Sequence, residues 1–253
     1  MVSAWATRLG VCFGQVKTNE KSNEITAIPE LLELLSLKGM IVTIDTIGCQ
    51  KKIAQKISEK HANYLFLLKG NHETAVDITK AFFACHELGE EFCEKYGIQK
   101  LDCETEIGHG RIEKGEYYLC TNLKWFIDKK DWVNLKGIGM VKSWRMNKKT
   151  GEASCEARYF ITSVDDVTKA AVALRSHCGI ESNLHWVLDV VFDEDFSTVR
   201  KDNSAQNLNI LRKYALNVLK QVDFSEYSKK KNLTISNKQH LCDKREEMPR
   251  NSS

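Results

Sequence analysis

Proline is almost absent: the 253 residues hold two, Pro29 and Pro249, so no Pro-rich linker divides the body of the chain. No apolar run approaches the roughly 20 residues that span a bilayer. The opening MVSAWATRLGVCFG has neither the basic leader nor the long apolar stretch of a signal peptide, and the expectation is a cytoplasmic protein with no membrane partner. Nine cysteines are scattered at positions 12, 49, 85, 93, 103, 120, 155, 178 and 242 without a CxxC pair, an odd count that fits reduced thiols better than a disulfide framework. Charge of one sign is also scarce. With 37 Lys and Arg against 34 Asp and Glu, the formal net charge is +3, far from the basic excess that by itself marks a nucleic-acid binder. A local basic face is still allowed, because counterion release depends on phosphates contacted and not on net charge.

What is present is the composition of a soluble globular chain, 42% hydrophobic and 28% charged, long enough for one core or for a core with an inserted subdomain. SAWAT and VCFGQVKT read as a hairpin turning at Arg8 to Gly10. IPELLELLSLKG reads as a helix with Pro29 in its first turn and Gly39 at its stop. IVTID is a buried strand, followed by a helix over about 49–61 and a second buried strand in NYLFLLKG, an α/β alternation with a parallel crossover. After a helix from Glu73 to Cys85 the pattern turns to strands in RIEKGEYYLCT, GIGMVKSWRM and ASCEARYFITS, the last two split by the turn NKKTGE. The chain returns to helix from Asp165, and Asn203 to Lys220 is amphipathic.

Two acids stand out. Asp45 ends the run IVTID, where a side chain can leave the sheet, and Glu181 lies in RSHCGIESNLHWVLDVVFDED, which spaces Glu181, His185 and Asp189 by four and so puts them on one helical face. Carboxylates from separate elements can hold Mg²⁺ ions for phosphoryl chemistry. Asp at a strand end and Glu on a helix are common, however, and the pattern by itself is more often that of ordinary solvent-facing acids.

The words around those acids narrow the choice. IVTIDTIGCQKKIAQKISEKHANYLFLLKGN, GHGRIE and RSHCGIESNLHWVLDVVFDED, in that order, resemble the H-repeat-associated transposases of ISAs-type bacterial insertion sequences, within the DDE group. The likeness starts at MVSAW and runs to about LRKYALNVLKQ. It implies a ribonuclease-H-like α/β core whose acids hold Mg²⁺, with Mn²⁺ as a substitute, and places the second and third acids at Asp45 and Glu181 as catalytic, metal-holding residues. The family's first acid belongs to a DGK-type motif ahead of the stretch matching MVSAW, so the expectation is an N-terminally truncated member lacking the first core strand. Cys178 stands where the family usually has Trp, and the residues after Gln221 depart from the family's usual ending.

The resemblance also implies DNA as partner, both transposon ends and target, a nucleoid-associated location when bound, and a homo-oligomer in intact relatives. Lys69, His109, Arg111, Arg175 and His177 are the candidate DNA contacts. Each has a plain alternative as a loop cation, a turn residue or half of an ion pair. The expected organisation is a first part of the core over 1–71, a β-rich insertion over 72–164, a helical return carrying Glu181 over 165–222, and a polar, disordered tail over 223–253. The expected activity is transposition by Mg-dependent strand cleavage and transfer, absent from this chain alone. The alternative is a non-catalytic fragment that binds DNA or inhibits a transposase.

Overall fold

Unbroken apolar runs make the centre of the sheet. In the computed structural model, which describes residues 1–18, 24–69, 73–84, 89–108, 111–230 and 232–246, Ile41–Ile44 (β3) and Asn63–Leu68 (β4) pair in parallel. A parallel pair requires a crossover, supplied by Lys51–Glu59 (α2), whose Ile53, Ala54 and Ile57 are buried. Glu24–Leu34 (α1) precedes β3. Pro29 stands inside α1 and not in its first turn, because the helix starts at Glu24, four residues before the expected Ile28. The contacts of Ala27, Ile28, Leu31 and Leu32, all buried, outweigh the hydrogen bond that proline cannot donate.

Glu73–Ala84 (α3) and Glu90–Tyr96 (α4) follow, the second stopped by Gly97 in the left-handed region at φ 60°. Next come Ile98–Asp102 (β5), Glu106–Gly108 (β6), Arg111–Cys120 (β7), Gly137–Asn147 (β8) and Ala153–Thr162 (β9). The strand order is β3-β4-β9-β8-β7-β5 with β6 on β7, and every pairing other than β3 with β4 is antiparallel. The long strands of the β-rich stretch thus belong to the same mixed sheet as β3 and β4. Val167–Cys178 (α5) packs its small apolar face, Val167, Ala170, Ala171 and Leu174, on Leu65, Leu119, Val141 and Phe160.

Residues Thr18–His177 form one compact unit; Met1–Lys17 together with Cys178–Ser253 form another. In the second, Val2–Ala6 (β1) and Val11–Val16 (β2) make the expected hairpin, turned by Gly10 at φ 65°. A hairpin alone is marginal in water. Here Ser204–Gln221 (α6) holds it with polar side chains spaced by four: Lys213 donates to Ser3 Oγ and Gln15 Oε1, Asn217 Nδ2 donates to the Cys12 carbonyl while its Oδ1 accepts the Cys12 N–H, and Gln221 donates to the Leu9 carbonyl. Asn217→Ala removes two of these bonds at a half-buried position, and the expected loss is about 1–2 kcal/mol, read by chemical denaturation followed at Trp5. Residues Ile235–Glu246 form a helix (α7), where the sequence pattern predicts disorder; Ile235 packs on the Leu184, Val187, Leu188 and Leu216 cluster and Lys238 donates to the Leu219 carbonyl.

Candidate functional site

Asp45 is where the strand pattern puts it, at the end of β3. Its side chain accepts the Thr46 N–H at 2.7 Å and so caps the single 3-10 turn Thr46–Gly48. That turn is packed hard from below: a Cβ on Gly48 would lie 2.2 Å from Ile44 Cγ2 and 2.9 Å from Ile28 Cδ1. Cys49 beside it is fully buried, and burial pushes its thiol up to about 12. The Asp45 carboxylate itself is exposed.

Thr43 and Asp45 share a face of β3 by the two-residue period of a strand. The Thr43 hydroxyl lies 3.3 Å from His177 Nδ1, at the end of α5. Burial lowers the His177 pKa, the Asp45 charge raises it and Arg158 lowers it, with burial the largest effect. His177 is thus a neutral imidazole at neutral pH, set beside the acid. Arg158 is not among the sequence candidates: it lies on β9, and the alternation of a strand gives no hint that its charge acts on His177.

Glu181, His185 and Asp189 lie on a helix that is not α. Glu181–His185 and Val187–Val191 are π-helical, the wider i to i+5 pattern that recurs at functional sites. Its apolar side, Leu184, Val187 and Leu188, is buried on Leu216 of α6. Glu181 and His185 are exposed and Asp189 half-buried, so the shared polar face expected from the spacing is present. Desolvation, then Asp195, Glu194 and Glu181, raise the Asp189 pKa, against a lowering by His185. A carboxyl whose folded pKa is raised costs stability wherever it is ionised, and that cost is relieved as pH falls through the folded pKa. Asp189→Asn is expected to raise the melting temperature at pH 7 by about 1–3 °C and to leave it unchanged near pH 3.

Next to this helix, in the same unit, is a cleft of about 460 Å³ lined by His185, Asp189, Glu194, Asn209 and Lys213 among others. Lys213 is buried, and burial lowers its pKa. Asn209 donates to Glu194 Oε1, while its buried Oδ1 has no hydrogen-bond partner.

The remaining candidates are placed as follows. Lys69 is exposed just beyond β4, and Arg175 is exposed on α5. Arg111 begins β7, with its side chain outside the described residues, and His109 lies outside them altogether. Among the described residues no three His, Cys, Asp or Glu side chains are grouped to hold a metal, and no helix is long and apolar enough to cross a membrane. Asp45 and Glu181 nonetheless suit Mg²⁺ in kind, as exposed carboxylates with oxygens to spare: Asp45 commits one to Thr46, and the Glu181 carboxylate has no hydrogen-bond partner among the described residues.

Residues 1–218 match the family described as the Transposase DDE domain. The chain belongs to this DDE transposase family. Among its relatives are the putative transposase YncI of Escherichia coli O157:H7, 41% identical over 223 residues that cover 87% of this chain and 56% of YncI, and the H repeat-associated putative transposase YhhI of Escherichia coli K12, 39% identical over 226 residues, 87% of this chain and 57% of YhhI. YbfD of the same strain, another H repeat-associated putative transposase, is 42% identical over 123 residues, 47% of this chain and 45% of its own. This transposase-family chain therefore spans a little over half the length of the first two relatives. No solved structure matches it.

Proposed function

We propose that this chain carries two of the three acids of a DDE transposase, Asp45 and Glu181, on a ribonuclease-H-like core, and serves DNA transposition in a bacterial insertion sequence. The observation that carries the reading is the pair of exposed carboxylates at the two motif positions, one capping the turn after β3 with an oxygen to spare and one opening the π-helical face. Bound Mg²⁺ supplies charge to stabilise the attacking and leaving oxygens of a phosphodiester. The protein's own part is to fix those carboxylates. Asp45 is held by Thr46, and neutral His177 keeps the face beside it shielded on Thr43. Asp189, reluctant to ionise among its acidic neighbours, gains when a cation approaches the Glu181 face.

Exposed Lys69 and Arg175 are the cations proposed to meet DNA phosphates; His109 and Arg111 are proposed contacts on motif grounds alone. His177, uncharged at neutral pH, contributes shape and a hydrogen bond to that surface and no ionic attraction. A working site needs a third acid, which the family pattern sets ahead of the stretch matching Met1 to Trp5. The test is cleavage of insertion-sequence end DNA with Mg²⁺ by the 253-residue polypeptide and by a form that also carries the family's DGK-type segment. The reading predicts nicking at the ends by the longer form and none above background by the shorter. Equal nicking by both would mean that another residue completes the site. Salt-sensitive end binding without nicking by either form would favour the second reading, a DNA-binding fragment that inhibits transposase.

A further inference from the structure

β9 lies inside the sheet over only part of its length. Tyr159–Thr162 pair with β4, whereas the preceding residues from Ala153 pair with β8 alone and form an edge among the described residues. Which backbone groups that edge presents follows from two bonds. Ser163 N–H donates to the Tyr64 carbonyl on the β4 side, and Asn147 N–H donates to the Glu152 carbonyl on the β8 side. Along an antiparallel strand these directions alternate residue by residue. Even-numbered residues therefore turn their N–H and C=O to β8, and Ala153, Cys155 and Ala157 turn theirs outward.

Proteins normally blunt such an edge with Lys, Pro or a bulge. Ala153-Ser154-Cys155-Glu156-Ala157 has none of these: its register with β8 is continuous, and all five residues are exposed. The segment is also complementary to itself when run antiparallel about Cys155. Ala153 then faces Ala157 of a second copy, and Ser154 faces Glu156. Small side chains meet small ones, and a hydroxyl meets a carboxylate. The outward groups match as well, since Cys155 opposite itself, and Ala153 opposite Ala157, are the residue pairs that exchange both backbone bonds.

We propose that two copies of this chain dimerise through the edge of β9, antiparallel, with the two-fold axis at Cys155, continuing the sheet from one copy into the other. The interface does not depend on the catalytic reading.

The test uses the full chain with Cys178→Ser and Cys242→Ser, the other exposed cysteines among the described residues, and with Cys85→Ser. Sedimentation is expected to show a concentration-dependent dimer, and a short bis-maleimide is expected to join it through Cys155. Cys155→Pro removes an outward N–H while leaving the bonds to β8, and is expected to weaken the dimer about tenfold or more. Should that variant misfold by circular dichroism, Ala153→Lys with Ala157→Lys does the same work, by setting like charges opposite one another across the two-fold. A monomer at every concentration overturns the proposal. So does a dimer that Cys155 does not cross-link, or one that a folded edge variant leaves as tight as before.

Discussion

In the longer form that carries the family's DGK-type segment, Asp45→Asn is expected to reduce Mg-dependent end cleavage by more than about 100-fold, and Glu181→Gln to do the same. Residues that only orient a metal ligand already cost about 10–100-fold when removed, so loss of a ligand oxygen must exceed that. Neither substitution should unfold the protein. Both side chains are exposed, the amide that Asp45→Asn introduces keeps an oxygen to accept the Thr46 N–H, and Glu181 has no hydrogen bond to lose among the described residues. Single-turnover cleavage together with circular dichroism separates a catalytic from a structural loss. End binding should persist, since Lys69 and Arg175, the residues proposed to meet DNA phosphates, are unchanged.

The largest loss of stability is expected at Gly139. It lies on β8 directly opposite Phe160 of β9, and the ring of Phe160 covers the place where a side chain would be. A Cβ there would stand 2.1 Å from Phe160 Cζ and 2.5 Å from the Tyr118 carbonyl. Phe160 is fully buried between Leu65, Leu119 and the α5 face, so it has nowhere to retreat. Gly139→Ala should cost about 3 kcal/mol or more, the upper end of overpacking. Adding Phe160→Leu relieves the contact with the ring but not the one with the carbonyl. The double variant should therefore recover part of the loss, with a coupling of about 1 kcal/mol or more, measured by urea unfolding.

Both predictions follow from features of unequal legibility. The end of β3 at Asp45 is plain in IVTID, because a β-branched apolar run that stops at an acid has few other readings. The polar face of Glu181, His185 and Asp189 is also plain, although its π-helical winding is not, since spacing by four suits either helix. The β1–β2 hairpin and α6 are readable, but the clamp of Lys213, Asn217 and Gln221 is not: on a helical wheel they are merely polar, and only the hairpin's backbone gives them partners. Arg158 and the covering of Gly139 by Phe160 depend on the register between β8 and β9. Strand periodicity reveals faces, whereas register at a distance comes from packing. α4, short and with no buried residue, carries no amphipathic signal to detect. α7 reads as a charged tail because its one isoleucine, Ile235, joins the Leu184 cluster alone, while Lys238 is held by the Leu219 carbonyl and the Phe224 ring, which no sequence pattern shows.

The most direct test asks whether Asp45 and Glu181 hold metal at all. Fe²⁺ in place of Mg²⁺, with ascorbate and peroxide, cuts a polypeptide beside the bound ion. With the form that also carries the family's DGK-type segment the expected cuts fall next to Asp45 and next to Glu181, both are suppressed by excess Mg²⁺, and each disappears when its own acid is replaced, in Asp45→Asn or in Glu181→Gln. Cuts elsewhere, or cuts at either position that survive the two substitutions, would contradict the assignment of these carboxylates.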